Sequence, residues 1–227
     1  MTNDEKKKNV LDVFNITAEK YVEYFGDDWE FIDEIQNFIC SMNPNDKVLD
    51  LGCGGGYISK YMADNGLQPI GIDFSEKMIE IAKKKYPQIS FFNMDIADVD
   101  IFFPEDAFDG LIAIYTMYFI PKEQMDRVLE GLSRVLKDGA NFFLVTQAGI
   151  GEQFVDESLM PDGKGEKSLF VNLSTDEELI ELFEKHNFHI EQLNLKPNID
   201  SDEISGDGRF VISAVNQKIK KQVLGGK

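Results

Sequence analysis

A run of glycines directly after a short apolar segment constrains this chain more than any other feature. Val48 to Leu51 has the composition of a buried strand, and four of the next five residues, Gly52 to Gly56, are glycine. Glycine allows a tight turn and lets a ligand approach the backbone closely. Open α/β sheets bind ligands at this carboxyl end of their strands. The segment therefore predicts a strand-to-helix turn that binds a nucleotide-like ligand.

Two common nucleotide-binding turns fit the residues poorly. A dinucleotide-binding turn has the pattern G-x-G-x-x-G, but Tyr57 stands where the last glycine should be. A P-loop requires a lysine and a serine or threonine after its last glycine, and Tyr57 and Ile58 supply neither. The turn alone does not decide which other nucleotide-like ligand is bound.

The rest of the chain alternates between strand-like and helix-like segments. Strands are predicted at residues 47–51, 68–72, 89–93, 108–114, 140–146, 188–195 and 209–216. Helices are predicted at residues 9–25, after Asp28, and at 55–65, 75–86, 121–136 and 175–186. This order predicts one Rossmann-like α/β domain over residues 1–227. Its doubly wound, seven-stranded sheet should be mostly parallel, with an antiparallel C-terminal strand and helices on both faces.

Residues 147–170 interrupt this alternation. They contain four glycines and one proline and show little periodicity. Such a stretch is typical of a long functional loop. We expect a surface loop that acts as a lid or contacts the substrate.

Composition restricts the partners of the chain. Its net charge is −18, from 23 basic and 41 acidic residues, so a phosphate backbone should be repelled and a nucleic-acid substrate is not expected. Cys40 and Cys53 are the two cysteines, which suits a reducing compartment and cannot form a four-cysteine zinc site; no metal is expected. With no apolar stretch near the roughly 20 residues of a membrane helix and no signal peptide, a cytoplasmic location without membrane association is expected.

Four further motifs follow the glycine turn in a fixed order. Asp73 ends the second strand, Asp95 follows the third, Phe108-Asp109 opens the fourth, and Leu132 to Gly139 leads into the fifth. Together with Asp50 to Gly56, they resemble the motifs of the class I S-adenosylmethionine-dependent methyltransferases over residues 20–146. The resemblance implies that the chain is a methyltransferase with S-adenosyl-L-methionine as its cofactor.

The same resemblance assigns residues to the methionine end of the cofactor. Backbone groups at Gly52, Gly54 and Gly56 should meet the methionine part. Asp50 should orient this loop and balance the ammonium and sulfonium charges. Tyr21 resembles a tyrosine that closes over the cofactor, so the N-terminal helices of residues 1–43 are expected to cover the site.

Other residues are implied at the nucleoside end. Asp73 should accept hydrogen bonds from both ribose hydroxyls, as charge-assisted pairs. The remaining residues are expected around the base and the sugar: Phe74 and Met78 flanking the adenine, Asp95 and Ile96 reading its amino group, and Ala113 and Ile114 bordering the sugar and the sulfonium.

The acceptor is less well defined than the donor. A sulfonium methyl group is already activated, so alignment can provide most of the catalysis and no catalytic motif is required. Ile114 to Tyr118 departs from the Asn/Asp-Pro-Pro-Tyr pattern of enzymes that methylate amino groups of nucleic acids, which favours a small-molecule acceptor. Tyr118 is the candidate on the acceptor side, and no general base is identified.

Two alternatives remain open. The first is an NAD(P)-dependent oxidoreductase on a Rossmann sheet, which Asp50 and Tyr57 disfavour. The second is a non-catalytic cofactor-binding regulatory protein. Cys53 is better explained as a small apolar residue than as a nucleophile. His186 and His189 lie near a strand start, far from the expected cofactor edge.

Overall fold

The structure, a computed structural model, describes residues 1–26, 30–156, 168–197 and 208–218. Its α-helices are α1 (Asn3–Phe25), α2 (Ile32–Cys40), α3 (Tyr57–Asp64), α4 (Glu76–Lys85), α5 (Val99–Phe102), α6 (Lys122–Val135) and α7 (Asp176–Lys185). Its strands are β1 (Lys47–Leu51), β2 (Gln68–Asp73), β3 (Ser90–Asn93), β4 (Phe108–Ile114), β5 (Leu136–Ala148), β6 (Gly151–Asp156), β7 (Ser168–Leu173), β8 (Phe188–Lys196) and β9 (Gly208–Asn216). Two 3₁₀ turns, η1 (Ile96–Asp98) and η2 (Met117–Phe119), follow β3 and β4.

Seven strands form one sheet in the order β3-β2-β1-β4-β5-β9-β8. The pairs from β3 to β5 are parallel, whereas β9 runs antiparallel to both of its neighbours, β5 and β8. The predicted fold, a mostly parallel sheet with an antiparallel C-terminal strand, is therefore confirmed. Since β9 lies between β5 and β8, the last strand in the chain occupies an interior position of the sheet.

Apolar clusters cover both faces of this sheet. The larger cluster includes Leu129 and Leu132 of α6 and Phe183 of α7, and the opposite cluster includes Ile35 of α2 and Met62 of α3. Both groups of side chains are nearly inaccessible to water, and such burial is the main favourable contribution to folding.

Local signals set several helix ends. The Ser75 hydroxyl accepts a hydrogen bond from the backbone N–H of Met78, which caps α4 as expected. Thr175 and Glu178 form the predicted capping box at α7. Pro121 is the N-cap residue of α6. Asp28, the predicted cap of α2, lies outside the described residues, and Phe31 precedes the first residue of α2.

The largest differences from expectation lie in residues 147–170 and at the N-terminus. Part of the predicted loop is regular: β5 continues to Ala148, and β6 and β7 pair antiparallel as a separate two-stranded sheet. The loop prediction was wrong for these residues because their glycines obscured the strand pattern; residues 157–167 lie outside the described residues. Helix α1 begins at Asn3 rather than near residue 9, because Thr2 and Glu5 form a capping box that the prediction overlooked.

Helix α1 and the β6–β7 sheet pack together above the carboxyl edge of the main sheet. The Asn9 side chain donates to the Ser168 carbonyl at 2.7 Å and accepts from the Phe170 N–H at 2.8 Å. Val10 and Val13 pack with Phe170 and Val171 in a buried cluster. Within the residues that the structure describes, no helix is both long and apolar enough to cross a membrane.

Candidate functional site

The turn after β1 has the geometry that its glycines suggest. Gly52, Gly54 and Gly56 have φ angles of +70°, +50° and +83°, in the left-handed region that other residues avoid. A Cβ atom on Gly52 would lie 2.1 Å from Oγ1 of Thr116, and one on Gly56 would lie 2.7 Å from the Phe91 ring. Glycine is therefore required at both positions for conformation and for space.

Asp50 lies beneath this turn. Its carboxylate is buried, and Oδ2 accepts a hydrogen bond of 2.5 Å from the Ser59 hydroxyl in α3. The pKa of Asp50 is raised to about 7, mainly by burial and to a smaller extent by the charge of Asp73, against the lowering effect of the Ser59 hydrogen bond. Asp50 thus holds β1 to α3 and gives the site a carboxyl group that titrates near neutral pH.

Asp73, at the end of β2, faces the turn directly. Oδ2 accepts from the Gly54 N–H at 3.0 Å, and Oδ1 accepts from the Ser75 N–H at 2.8 Å. Burial raises the pKa of Asp73 to about 6, although both hydrogen bonds lower it. A carboxylate oxygen has more than one lone pair, so each oxygen can accept a further hydrogen bond from a ligand hydroxyl.

These groups line a single pocket at the carboxyl edge of the sheet. Nine of the twelve predicted cofactor-binding residues are on its wall: Tyr21, Gly52, Gly54, Asp73, Phe74, Met78, Asp95, Ile96 and Ile114. The other three, Asp50, Gly56 and Ala113, lie behind the wall, and Ala113 is fully buried in the core. Whether each residue contacts a cofactor stays a prediction.

The pocket is open between the strand ends and closed by α1. Lys7, Phe14 and Tyr21 project from α1 onto its wall, whereas α2 packs on a face of the sheet. Of the predicted N-terminal cover, α1 thus lines the pocket. Lys7 and Phe14 could not be predicted as pocket residues from the sequence, because a lysine or an aromatic residue on an amphipathic helix carries no distinguishing signal.

Asp95 already has two partners in the structure. Oδ1 accepts from the Ala97 N–H at 2.9 Å, and Oδ2 pairs with Nζ of Lys7 at 2.6 Å. The Lys7 pair connects α1 to the loop after β3. An adenine amino group that approaches Asp95 must share the carboxylate with these two donors.

Tyr118, the predicted acceptor-side residue, is only 6% exposed and packs with Val10, Val13 and Leu169 beneath α1 and β7. Tyr115 lines the pocket instead. Its hydroxyl lies 3.2 Å from Oε2 of Glu30 and 3.3 Å from Nη1 of Arg209. No sequence motif predicted this cluster.

Other reactive side chains lie away from the pocket wall. Burial raises the pKa of the Cys53 thiol well above its usual value, which disfavours a thiolate nucleophile. His186, the residue that follows α7, lies 2.7 Å from a carboxylate oxygen of Asp126 in α6. Among the described residues, no group of three or more histidine, cysteine, aspartate or glutamate side chains is arranged to hold a metal ion.

The residues present fit S-adenosylmethionine. Asp73 offers two acceptor oxygens where a ribose would lie, and Phe74, Met78 and Ile96 provide an apolar wall for a base. The left-handed turn places no Cβ atom at Gly52 or Gly54, so a methionine tail can reach the backbone there. The carboxyl groups of Asp50 and Asp73 complement positive charge on a ligand.

Comparisons with known proteins support a methyltransferase. Residues 48–139 match the profile of a methyltransferase domain family. An uncharacterized methyltransferase of Synechocystis is 35% identical over 105 residues, which cover 46% of this chain and 49% of that protein. The human eEF1A lysine and N-terminal methyltransferase is 29% identical over 147 residues, which cover 60% of this chain and 20% of that protein.

A solved structure resembles almost the whole chain. The 1,6-didemethyltoxoflavin-N1-methyltransferase of Burkholderia thailandensis, with bound 1,6-didemethyltoxoflavin and S-adenosylhomocysteine, has a TM-score of 0.73 and 14% sequence identity. The match covers 96% of this chain and 92% of that chain. At this identity the likeness concerns the fold alone. The chain spans about half or less of the length of the two curated relatives above.

Proposed function

Since the chain belongs to the class I S-adenosylmethionine-dependent methyltransferases, as its motifs, fold and matched profile show, we propose that it transfers a methyl group from S-adenosylmethionine to a small-molecule acceptor. The observation that carries the proposal is the position of Asp73. Its buried carboxylate is held by the N–H groups of Gly54 and Ser75 and lines the pocket beside the glycine turn. The hydroxyls of a ribose can donate hydrogen bonds to this carboxylate, and the backbone of the glycine turn lies beside it.

The sheet topology argues against the oxidoreductase alternative. Dinucleotide-binding Rossmann sheets are wound from parallel strands in the order 3-2-1-4-5-6. Here the antiparallel strand β9 lies between β5 and β8. Tyr57, the first residue of α3, also stands where such proteins have the third glycine of their turn.

The reaction requires little from the protein beyond binding and alignment. When bound, S-adenosylmethionine supplies a methyl group on a positively charged sulfur. Asp50 and Asp73 contribute negative charge below the glycine turn, and Ile114 and Tyr115 bring the end of β4 to the same pocket. Apolar walls exclude water, so that an aligned acceptor meets the methyl group without competition from solvent.

The cover over the pocket supports a small acceptor. Helix α1 is joined to β6 by the Lys6–Glu152 ion pair and to β7 by Asn9. Glu152 also accepts a hydrogen bond from the backbone N–H of Lys122 at the start of α6. The net charge of −18 disfavours a nucleic-acid acceptor. The solved relative from Burkholderia acts on a small heterocycle, which agrees with this choice, whereas the human relative is named for a protein acceptor.

Titration calorimetry with three ligands tests the cofactor. We expect S-adenosylmethionine and S-adenosylhomocysteine to bind, and NAD to bind much more weakly. Asp73→Ala should weaken the binding of S-adenosylhomocysteine by about 1.5–3 kcal/mol, which is the range for hydrogen bonds to a charged group. Asp176→Ala, at the exposed start of α7, is the matched control and should bind normally. Tighter binding of NAD than of either sulfur ligand would refute the proposal.

A transfer assay with labelled methyl groups tests the acceptor. The full chain is incubated with labelled donor and, separately, with a small-metabolite fraction and a protein fraction from cell extract. Label in the small-metabolite fraction supports the proposed acceptor class. Label confined to the protein fraction would overturn it, and no label in either fraction would favour a non-catalytic binding protein.

A further inference from the structure

A polar cluster formed by Glu30, Tyr115 and Arg209 lies at the same edge of the sheet as the cofactor pocket. We propose that Tyr115 contacts the nucleophilic group of the methyl acceptor, and that Glu30 and Arg209 are positioning residues that hold Tyr115 in place. This inference rests on the proposed methyl transfer and specifies its acceptor: a compound whose nucleophile is a hydroxyl or an amino group.

The contacts within the cluster hold the phenol from two sides. The Tyr115 hydroxyl donates to Oε2 of Glu30 at 3.2 Å and accepts from Nη1 of Arg209 at 3.3 Å. The same Nη1 atom lies 2.5 Å from Oε1 of Glu30, and Nη2 donates to the Pro197 carbonyl at 2.7 Å. Arg209 is 1% exposed, so this ion pair is little screened by water. Charge-assisted hydrogen bonds in such surroundings define the position of a side chain well.

The cluster lies where the two substrates must meet. Tyr115 is the first residue after β4, and both it and Thr116 line the pocket with Gly52. The Thr116 side chain packs directly against the α-carbon of Gly52, in the turn proposed to bind the methionine end. The neighbouring residue, Tyr115, is therefore close to the position of the reactive sulfur.

The backbone of Tyr115 is also unusual. Its φ angle is +53°, a conformation that costs free energy for a bulky residue and persists where the surroundings impose it. Its N–H donates to the Val145 carbonyl at 3.0 Å, and its ring packs edge-on against Phe31 and Tyr118. Strained residues of this kind concentrate at sites where a side chain must point in one direction.

The chemistry of the phenol indicates the acceptor class. A tyrosine hydroxyl both donates and accepts hydrogen bonds. A hydroxyl or amino nucleophile carries a hydrogen that such an oxygen can accept and orient. The opposite charges of Glu30 and Arg209 compensate each other within this ion pair.

Sinefungin provides a test that does not require the acceptor. In this analogue a carbon that bears a primary amine replaces the methylsulfonium, so its ammonium group points toward the acceptor position. S-adenosylhomocysteine has no group there. In calorimetry, we expect Tyr115→Phe to weaken the binding of sinefungin about tenfold, because one charge-assisted hydrogen bond is lost. The affinity for S-adenosylhomocysteine should change by less than about twofold.

Three further variants test the positioning role. Arg209→Met should reduce the preference for sinefungin, and Arg209→Lys should restore part of it, because lysine keeps the charge beside Glu30. Glu30→Gln should also reduce it. Thermal unfolding verifies that each variant is folded; if the Arg209 variants do not fold, Tyr115→Phe decides the question alone.

Tyr118→Phe distinguishes this proposal from the residue expected from the sequence. It should leave the ratio of the two affinities unchanged, as should Tyr24→Phe on the exposed side of α1. A wild-type chain that does not bind S-adenosylhomocysteine would refute the proposed function itself. If S-adenosylhomocysteine binds but Tyr115→Phe leaves the ratio unchanged, or if Tyr118→Phe alone reduces it, the role of Tyr115 is refuted.

Discussion

At the scale of single residues, the close contact between Gly52 and Thr116 leaves no room for a side chain at position 52. The Thr116 hydroxyl donates to the Leu51 carbonyl at 2.9 Å, so Thr116 cannot move away without losing this bond. The contact and this hydrogen bond hold the turn after β1 against the end of β4. It also couples the proposed methionine subsite to the residue next to Tyr115.

Gly52→Ala should therefore weaken cofactor binding and destabilise the fold. The new methyl group would overlap Oγ1 of Thr116, and the φ angle of +70° strains any residue other than glycine. We expect at least about tenfold weaker binding of S-adenosylhomocysteine and a loss of about 1–3 kcal/mol in the free energy of unfolding. Calorimetry and urea unfolding measure the two effects.

Gly66→Ala is the matched control. Gly66 has a φ angle of +88°, but a Cβ atom there would meet nothing within 4 Å, and the residue is remote from the pocket. This variant should lose stability from backbone strain and bind the ligand normally. Equal binding defects in both variants would show that strain alone, and not the contact with Thr116, controls the turn.

The two buried carboxyl groups give the site a pH dependence. Burial raises the pKa of Asp50 to about 7 and that of Asp73 to about 6, from 3.8 in both cases. Between pH 4 and 7 the folded chain therefore holds protons that the unfolded chain has released. These two groups make the free energy of unfolding fall as the pH rises through this range.

Cofactor binding should follow the opposite trend, because the ribose hydroxyls proposed to donate to Asp73 need its ionised carboxylate. The ionised carboxylates complement the ligand, so affinity should rise between pH 5 and 8 and then level off. Protonation of Asp73 alone predicts about tenfold weaker binding of S-adenosylhomocysteine at pH 5 than at pH 8. Calorimetry across this range measures it, and Asp73→Asn should flatten the profile near pH 6. A flat wild-type profile would contradict the raised pKa values.

At the scale of elements, Asn216 joins β9 to the junction of α6 and β5, which lies 79–83 positions earlier in the chain. It is fully buried at the end of β9, and its Nδ2 atom lies 3.0–3.1 Å from the carbonyls of Ser133, Leu136 and Lys137. Its Oδ1 atom accepts from the Ser133 hydroxyl at 3.0 Å. One side chain thereby fixes the turn between α6 and β5 against the interior strand β9.

Asn216→Ala should be among the more destabilising polar substitutions in the chain. The change leaves buried carbonyl groups without a donor, and we expect a loss of about 2–4 kcal/mol in the free energy of unfolding. Urea unfolding measures it, with Asn194→Ala on the exposed face of β8 as a control that should change stability by less than about 0.5 kcal/mol. A loss of that smaller size at Asn216 would mean that water replaces the amide.

The sequence predicted those elements whose signals are local. Ser75 and the Thr175–Glu178 pair mark helix starts because capping involves residues only three apart. The strands β6 and β7 were not predicted because neither has a clear alternation of apolar and polar residues in its sequence, and because glycines lie at the start of β6. Their pairing depends on packing against α1, which no local pattern encodes.

The site residues also fall into those that the sequence predicted and those that it did not. The wall formed by Gly52, Asp73 and Ile96 follows from motifs along consecutive strands, because parallel strand ends meet at one edge. Tyr115 is joined to residues 85 and 94 positions away, Glu30 and Arg209. No spacing rule connects residues so distant, so this cluster became visible only in three dimensions.

At the scale of the whole molecule, the wall of the pocket is formed by several elements that come together at the carboxyl edge of the sheet. Its wall combines α1, the ends of β1, β2 and β4, and the start of α6, with Lys7, Gly52, Asp73, Ile114 and Gln124 as representatives. Among the described residues, the most extensive contacts of helix α1 with other elements are those with α4 and β7. A ligand in the pocket therefore bridges α1 to the sheet and should stabilise their association.

This bridging predicts a thermal shift that depends on the ligand. A ligand that binds only the folded chain adds about 2.7 kcal/mol at 100 times its dissociation constant. For a chain of 227 residues this corresponds to a rise in Tm of about 5–10 °C. S-adenosylhomocysteine should produce this rise in scanning calorimetry, and NAD at the same concentration should not.

Hydrogen exchange locates the same effect within the molecule. If the ligand joins α1 to the sheet, amides of α1 should gain protection with S-adenosylhomocysteine by more than those of α7, which lies outside the pocket wall. Asp73→Ala should lose most of the thermal shift and of the extra protection at a fixed ligand concentration. A normal thermal shift with no added protection in α1 would mean that the ligand is held by the strand ends alone, so that the helix covers the pocket without contributing to affinity.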